Sequence, residues 1–131
     1  MSTFELQIVT PDGQFFSGQA ARLSVRGIEG DLCILPRHIA FATALAVGEA
    51  RVTIDEKVRR AACSGGMVTV MKNHVRLVAT TFEWEEDIDK ERAILAREKA
   101  EQTLRVAKDV REISVAKAKL SRALVRIQVS K

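Results

Sequence analysis

The chain has 131 residues, of which 47% are hydrophobic, with two cysteines, two histidines and a formal net charge of +4. That length holds one domain plus an appendage, and that apolar content supports a packed core. No apolar run approaches the roughly 18 residues of a membrane span. The cysteines and histidines do not cluster at metal-ligand spacing, so no metal site is expected.

The opening "MSTFELQIV" lacks a charged n-region and a long apolar stretch, so no signal peptide is read. The protein is expected to stay in the compartment that makes it. Cys33 and Cys63 form no CxxC pair, which points to a reduced, cytoplasmic setting with two packed thiols.

In chain order, "FELQIVT" alternates Phe4, Leu6 and Ile8 against Glu5 and Gln7, the period of a half-buried strand. "PDG" at 11–13 is a turn signal, since Pro presets its φ and Gly accepts a positive one. "ARLSVRG" alternates Leu23 and Val25 against Arg22, Ser24 and Arg26. "GDLCILP" is a short apolar strand ending at Pro36. "ARVTI", "RRAACS", "MVTVM" and "VRLVAT" follow, with "KNH" at 72–74 as a hairpin turn. Many short strands with frequent turns predict an antiparallel sandwich or barrel. The Gly65–Gly66 pair lies within strand-like text and opens no helix, so it is not a phosphate loop.

All seven glycines and both prolines precede residue 67, and nothing after Gly66 breaks a helix. The composition shift predicts a boundary near Trp84–Asp87, dividing a β-domain at 1–86 from a helical domain at 87–131. "ERAILAREKAEQTLRVAK" is built from strong helix formers. Ala93, Ala96, Ala100, Leu104 and Ala107 recur at steps of three and four. Ile113, Ala116, Leu120, Ala123, Leu124 and Ile127 make a second stripe of the same kind. The joining "KDVRE" at 108–112 is polar but has neither Gly nor Pro, so one long helix and a two-helix hairpin both fit. A tail this small cannot bury a sufficient core alone and must dock on the sandwich or on a partner.

Charge divides at the same boundary. Residues 1–86 carry nine Lys/Arg against ten Asp/Glu, for −1, and residues 87–131 carry twelve against seven, for +5. Residues 111–131 hold Arg111, Lys117, Lys119, Arg122, Arg126 and Lys131 against Glu112 alone. Such a face is usually solvated, and it also suits an acidic partner. No aromatic residues are interleaved with these charges, which disfavours nucleic acid. Enzymatic readings fail on inventory: there is no GxxxxGK[ST], GxSxG or HExxH, so no catalytic residue is assigned and no cofactor is required.

"DIDKERA" at 87–93 has an ordinary explanation. Asp87 caps the first helical turn, acids there suit the macrodipole, and Asp89 pairs with Arg92 at i, i+3 for about 0.2–0.5 kcal/mol. On residues alone, the competing reading is a free-standing interaction module that binds nucleic acid or an acidic protein through its basic tail.

Four motifs in order, "IVTPDGQFFSG", "GDLCILPRH", "SGGMV" and "DIDKERA", followed by the helical tail, resemble the epsilon subunits of the F-type ATP synthases. The resemblance runs the whole length. One departure is Cys33, where the family commonly has Gly. The fold class it implies is α+β, an N-terminal antiparallel β-sandwich followed by a C-terminal two-helix hairpin. It implies a non-catalytic rotor subunit that couples ion translocation to ATP synthesis and restrains ATP hydrolysis. The implied partners are the gamma subunit, the membrane rotor ring of c subunits and the alpha/beta catalytic hexamer. The implied location is peripheral, at the cytoplasmic face of a bacterial cell membrane, without insertion.

The resemblance also assigns residues. In nucleotide-binding members, ATP holds the hairpin folded through a motif that here is Ile88, Asp89, Arg92 and Ala93. An acid before the helix and two arginines on the second helix correspond to Glu83, Arg122 and Arg126. Arg122 and Arg126, at i, i+4, share a face. In a hairpin they would join Arg92 in a three-arginine phosphate cradle, which the planar guanidinium fork suits. Ala93 would leave room for base or ribose, and Asp89 and Glu83 would accept from their donors. Some members carry a further Arg where this chain has Lys99, which keeps the charge but loses the fork. Glu29, Gly30 and Asp31, in the loop "GIEGD", fall on the edge implied to touch the rotor ring. His38 falls near the implied gamma contact. ATP is thus expected as a regulatory ligand.

Overall fold

The computed structural model describes residues 2–37 and 39–130. The expected contact at His38 lies outside the described residues. Eight strands precede two helices: β1 (Phe4–Thr10), β2 (Gly13–Ala20), β3 (Arg22–Gly27), β4 (Gly30–Ile34), β5 (Phe41–Ile54), β6 (Lys57–Met71), β7 (His74–Ala79) and β8 (Phe82–Trp84). A single 3₁₀ turn at Glu85–Asp87 leads to α1 (Lys90–Val106) and α2 (Val110–Val129). This is the expected α+β sandwich followed by a hairpin of helices.

The alternation read from the sequence sets the core. Phe4, Leu6 and Ile8 of β1, Leu23 and Val25 of β3, and Val75 and Leu77 of β7 are all buried, each separated by a more exposed residue. Each fully buried Leu or Ile side chain contributes about 1.5–3 kcal/mol. The strands run in the order β2-β1-β7-β6-β5-β3-β4, with β8 pairing β6. Neighbours are antiparallel except β1 and β7, which are parallel, Leu6 lying opposite Val75.

β5 and β6 are far longer than their sequence suggests, at 14 and 15 residues. "RRAACS" and "MVTVM" read as two strands but form one, which changes partner midway. Gly66–Met71 pairs with β7, whereas Ala61–Cys63 pairs with β8. The hand-over sits at Gly65 and Gly66, both at positive φ (68° and 122°). A Cβ on Gly66 would lie 1.9 Å from the Val78 carbonyl oxygen. This glycine pair is therefore the hinge that lets one sheet fold over on itself. β2 and β8 are strands for which the sequence pattern gives no clear signal.

The cysteines depart from expectation. Cys63 is buried as predicted, and burial pushes its thiol up to about 12. Cys33 is exposed rather than packed, on β4, with Arg22 Nε donating to its sulfur at 3.0 Å.

The hairpin docks through α2, which packs on β5 and β6. Its last residue, Val129, is fully buried. Arg60 of β6 ties this end down: it pairs with Glu49 of β5 and donates to the Val129 carbonyl at 3.5 Å and to Glu85 at 3.4 Å. Burial works to raise the Glu49 carboxyl, but hydrogen bonds and charge from Arg60 and Arg51 outweigh it and leave it below the ordinary 4.5.

Two stability outcomes follow from these contacts. Gly66→Ala costs about 3 kcal/mol or more, from positive-φ strain and a backbone clash, read as a lowered denaturation midpoint. Arg60→Ala and Glu49→Gln each cost about 1–3 kcal/mol at neutral pH and raise hydrogen exchange at the end of α2. Because the native Glu49 pKa is depressed, its contribution is present above 4.5 and lost as pH falls through the lowered native value. The stability gap between wild type and Glu49→Gln therefore closes in acid.

Candidate functional site

Local sequence places the first half of the site. Asp89, not Asp87, caps α1: its carboxylate accepts from the Arg92 backbone N–H at 3.1 Å. Asp87 lies instead in the 3₁₀ turn. The expected Asp89–Arg92 side-chain pair gives way to this cap, which leaves the Arg92 guanidinium exposed and free of ion pairs among the described residues. Ile88, half-buried, donates its backbone N–H to Glu85 at 3.3 Å.

Small residues set the separation of the helices. Ala93 and Ala100 of α1 are buried, as are Ala116 and Ala123 of α2. The chain turns at Ala107–Asp109. Asp109 accepts from Glu112 N–H at 2.8 Å, and the Glu112 carboxylate accepts from Lys108 N–H at 3.3 Å. This is a variant capping box. Its "DVRE" signature at 109–112 was present in the sequence and would have decided between hairpin and single helix.

β8 supplies the acid. Phe82 and Trp84 point into the core, so the residue between them faces outward, toward the hairpin. Phe82, Trp84 and Phe15 pack edge-on or tilted at 5.3–5.8 Å, and Arg59 lies 3.8 Å over the Trp84 ring. On this anchored strand Glu83 pairs with Arg126 of α2. Glu83 is thus committed to an arginine, where the resemblance had implied a base or sugar contact.

Two adjoining cavities result. The first, about 390 Å³, brings Glu83, Asp89, Arg92, Ala93 and Arg126 together, with Asp87 beside them. The second, about 510 Å³, continues along the hairpin between Lys99 on α1 and Arg122 and Arg126 on α2. Ala96 and Arg126 line both. Of the expected nucleotide residues, only Ile88 lines neither. Both volumes fall in the ~300–1,000 Å³ range of small-molecule sites. Among the described residues there is no metal-ligating cluster, and no helix is long and apolar enough to cross a membrane.

On the sandwich, the β3–β4 hairpin turns at Ile28 and Glu29. Gly27 faces Gly30, which takes φ 136°. Glu29, Gly30 and Asp31 are exposed at this tip. It lies on a different element from the helical groove.

The beta-sandwich domain of the ATP synthase delta/epsilon chain matches residues 3–85, and the long alpha-helix domain of the same chain matches residues 86–131. The chain belongs to the ATP synthase delta/epsilon chain family. Relatives within this family include the ATP synthase epsilon chains of Shouchella clausii, 40% identical over all of this chain and 97% of that protein, and Halalkalibacterium halodurans, 41% identical over 99% and 98%. That of Bacillus subtilis is 41% identical over 86% of each. Among solved structures, a chain of the Euglena gracilis mitochondrial ATP synthase superposes with a TM-score of 0.85 at 20% identity, covering 99% of this chain and 82% of that one. A chain of the Tetrahymena thermophila enzyme gives 0.64 at 15%. At those identities the likeness is one of fold.

The alanine-lined hairpin depends on its turn. Asp109→Ala removes the cap of α2 and costs about 0.5–2 kcal/mol of helix stability. Circular dichroism melts check this, with amide exchange expected to rise first in residues 107–113.

Proposed function

We propose that this family member is a non-catalytic central-stalk subunit of an F-type ATP synthase whose helical hairpin responds to ATP. The observation that carries the reading is the groove. It gathers Asp89, Arg92, Ala93 and Arg126 in one cavity and continues to Lys99 and Arg122 in the next. One end offers carboxylates to hydroxyl and amino donors, and the other offers cations to phosphate. Supporting observations are the family itself and relatives that carry the name ATP synthase epsilon chain.

The mechanism follows from the weakness of the tail. Its inter-helix seam is alanine, and each buried methyl adds only about 0.8 kcal/mol. The docked hairpin and an opened tail are therefore separated by a free energy that a ligand shifts. ATP binds only the hairpin, because only there do α1 and α2 face each other. At a hundredfold excess over Kd it stabilises that state by about 2.7 kcal/mol. When ATP falls, the +5 tail opens toward the acidic surfaces of the catalytic hexamer and blocks hydrolysis. The sandwich meanwhile grips the gamma subunit and touches the c-ring with Glu29, Gly30 and Asp31. The subunit thereby couples ion translocation to ATP synthesis, peripheral to the cytoplasmic face of the cell membrane.

Calorimetry of the full chain tests the sensor. ATP binds wild type, and Arg92→Ala or Arg126→Ala weakens binding about tenfold or more, the loss of a charge-assisted hydrogen bond. Absence of heat at millimolar ATP removes the sensor and leaves the inhibitor role to a second measurement. In the assembled enzyme, deletion of 87–131 raises ATP hydrolysis while retaining the gamma subunit. Unchanged hydrolysis would end the inhibitory reading.

A further inference from the structure

α2 presents two faces. Arg122 and Arg126 line the groove it shares with α1, whereas Ser121, Leu124, Val125 and Gln128 face the sandwich. α2 packs on β5 and β6, and on the β3 side a cavity of about 710 Å³ separates it from the sheet. That volume is within the ~300–1,000 Å³ range of small-molecule sites. Leu124, in the roof of this cavity, is left 46% exposed.

Strand alternation builds the floor. Leu23 and Val25 enter the core, so Arg22, Ser24 and Arg26 turn outward into the cavity. Gly48 of β5 makes room for the second arginine. A Cβ there would lie 2.7 Å from Arg26 Cβ and 2.9 Å from its Cδ, so the Arg26 stem lies flat across the glycine. Among the described residues, neither Arg22 nor Arg26 makes an ion pair. Arg22 donates to the Cys33 sulfur, a weak acceptor. Of the two acids in the cavity, Glu49 is held by Arg51 and Arg60, which leaves Asp31 at the exposed rim. The unpaired charge is therefore two cations to one acid, and Leu32, Val47, Leu124 and Val125 supply apolar walls. Cations beside apolar surface suit a ligand with an acidic head and a short apolar body. An inorganic anion would leave the walls wet, and a neutral apolar compound would leave the cations unanswered.

We propose that this interface is a second ligand site, for short-chain organic acids, in which Arg26 takes the carboxylate and Leu124 and Val125 cover the chain. The site is made by α2 and the sandwich together, so its occupant holds the tail docked. That consequence rests on the two-state tail proposed above. The binding itself does not, because none of the residues assigned to the nucleotide lines this cavity.

Hexanoate, titrated against the full chain without nucleotide, is the probe. Alkylation of Cys33 by iodoacetamide reads occupancy, since Cys33 is exposed and lines the cavity, whereas Cys63 is buried with its thiol pushed up to about 12. Hexanoate should slow this alkylation saturably. Acetate, which lacks the chain, and hexanol, which lacks the charge, should need concentrations about tenfold higher or more. Arg26→Gln and Leu124→Ser, on opposite walls, should each raise the half-protecting concentration about tenfold. Both positions are exposed, so the fold should be retained. Arg76→Gln removes an exposed cation of β7 outside the cavity and should leave that concentration unchanged. Amide exchange in residues 121–129 should slow with hexanoate in wild type and not in Arg26→Gln. If hexanoate protects no better than acetate or hexanol, if Arg26→Gln and Arg76→Gln behave alike, or if exchange in α2 does not respond, the proposal is overturned. None of these outcomes bears on ATP binding, which its own titration reads.

Discussion

The docking of α2 on the sandwich is the contact on which the rest depends. A tail of 45 residues has too little interior to hold itself together. Its helices bury Ala93, Ala100, Ala116, Ala123 and Val129 and no larger side chain. The sandwich, by contrast, encloses Phe4, Leu6, Ile8, Leu23, Ile34 and Leu77. Stability lives in the strands, and the helices borrow it through α2, through Arg60 and through the Glu83–Arg126 pair. α1 is held chiefly by α2.

That imbalance is what the proposed regulation requires. Alanine at the seam brings the helices close, so that stripes of longer side chains flank a groove. Alanine also contributes little to holding them there. Under the proposed function, a ligand that bridged the stripes would supply a large share of the cohesion, and its removal would shift the equilibrium by an amount of the same order as the seam itself. A leucine seam would have given a more stable hairpin that is less responsive to ligand.

Glu83 and Arg126 join the sandwich to the hairpin. Glu83 belongs to a three-residue strand fixed by the packing of Phe82 and Trp84, and it aims at α2 because its neighbours aim at the core. Arg126 belongs to both cavities. A phosphate that engaged Arg126 would compete with Glu83, so the docking contact and the proposed ligand site share one guanidinium.

The sequence by itself determined the elements whose periodicity is strong and local. β1 is bounded at Phe4 and Thr10 as its alternation implies, the run of strong helix formers from Glu91 marks α1, and the four-motif order carries the family. Asp89, Arg92 and Ala93 were singled out only through the family motif, since on the residues alone "DIDKERA" reads as a helix start. β2 was not legible, since "GQFFSGQA" has no clean alternation and gains strand geometry only by pairing with β1. β6 was split in the reading because Gly65 and Gly66 look like an interruption, and only the folded sheet shows a hinge. The tertiary structure alone decided that Cys33 is exposed and that Glu83 meets Arg126 across 43 residues. The physical reason is common to these cases. Periodicity and capping are set by neighbours along the chain, whereas charge partners and exposure are set by whichever surface the chain folds back upon.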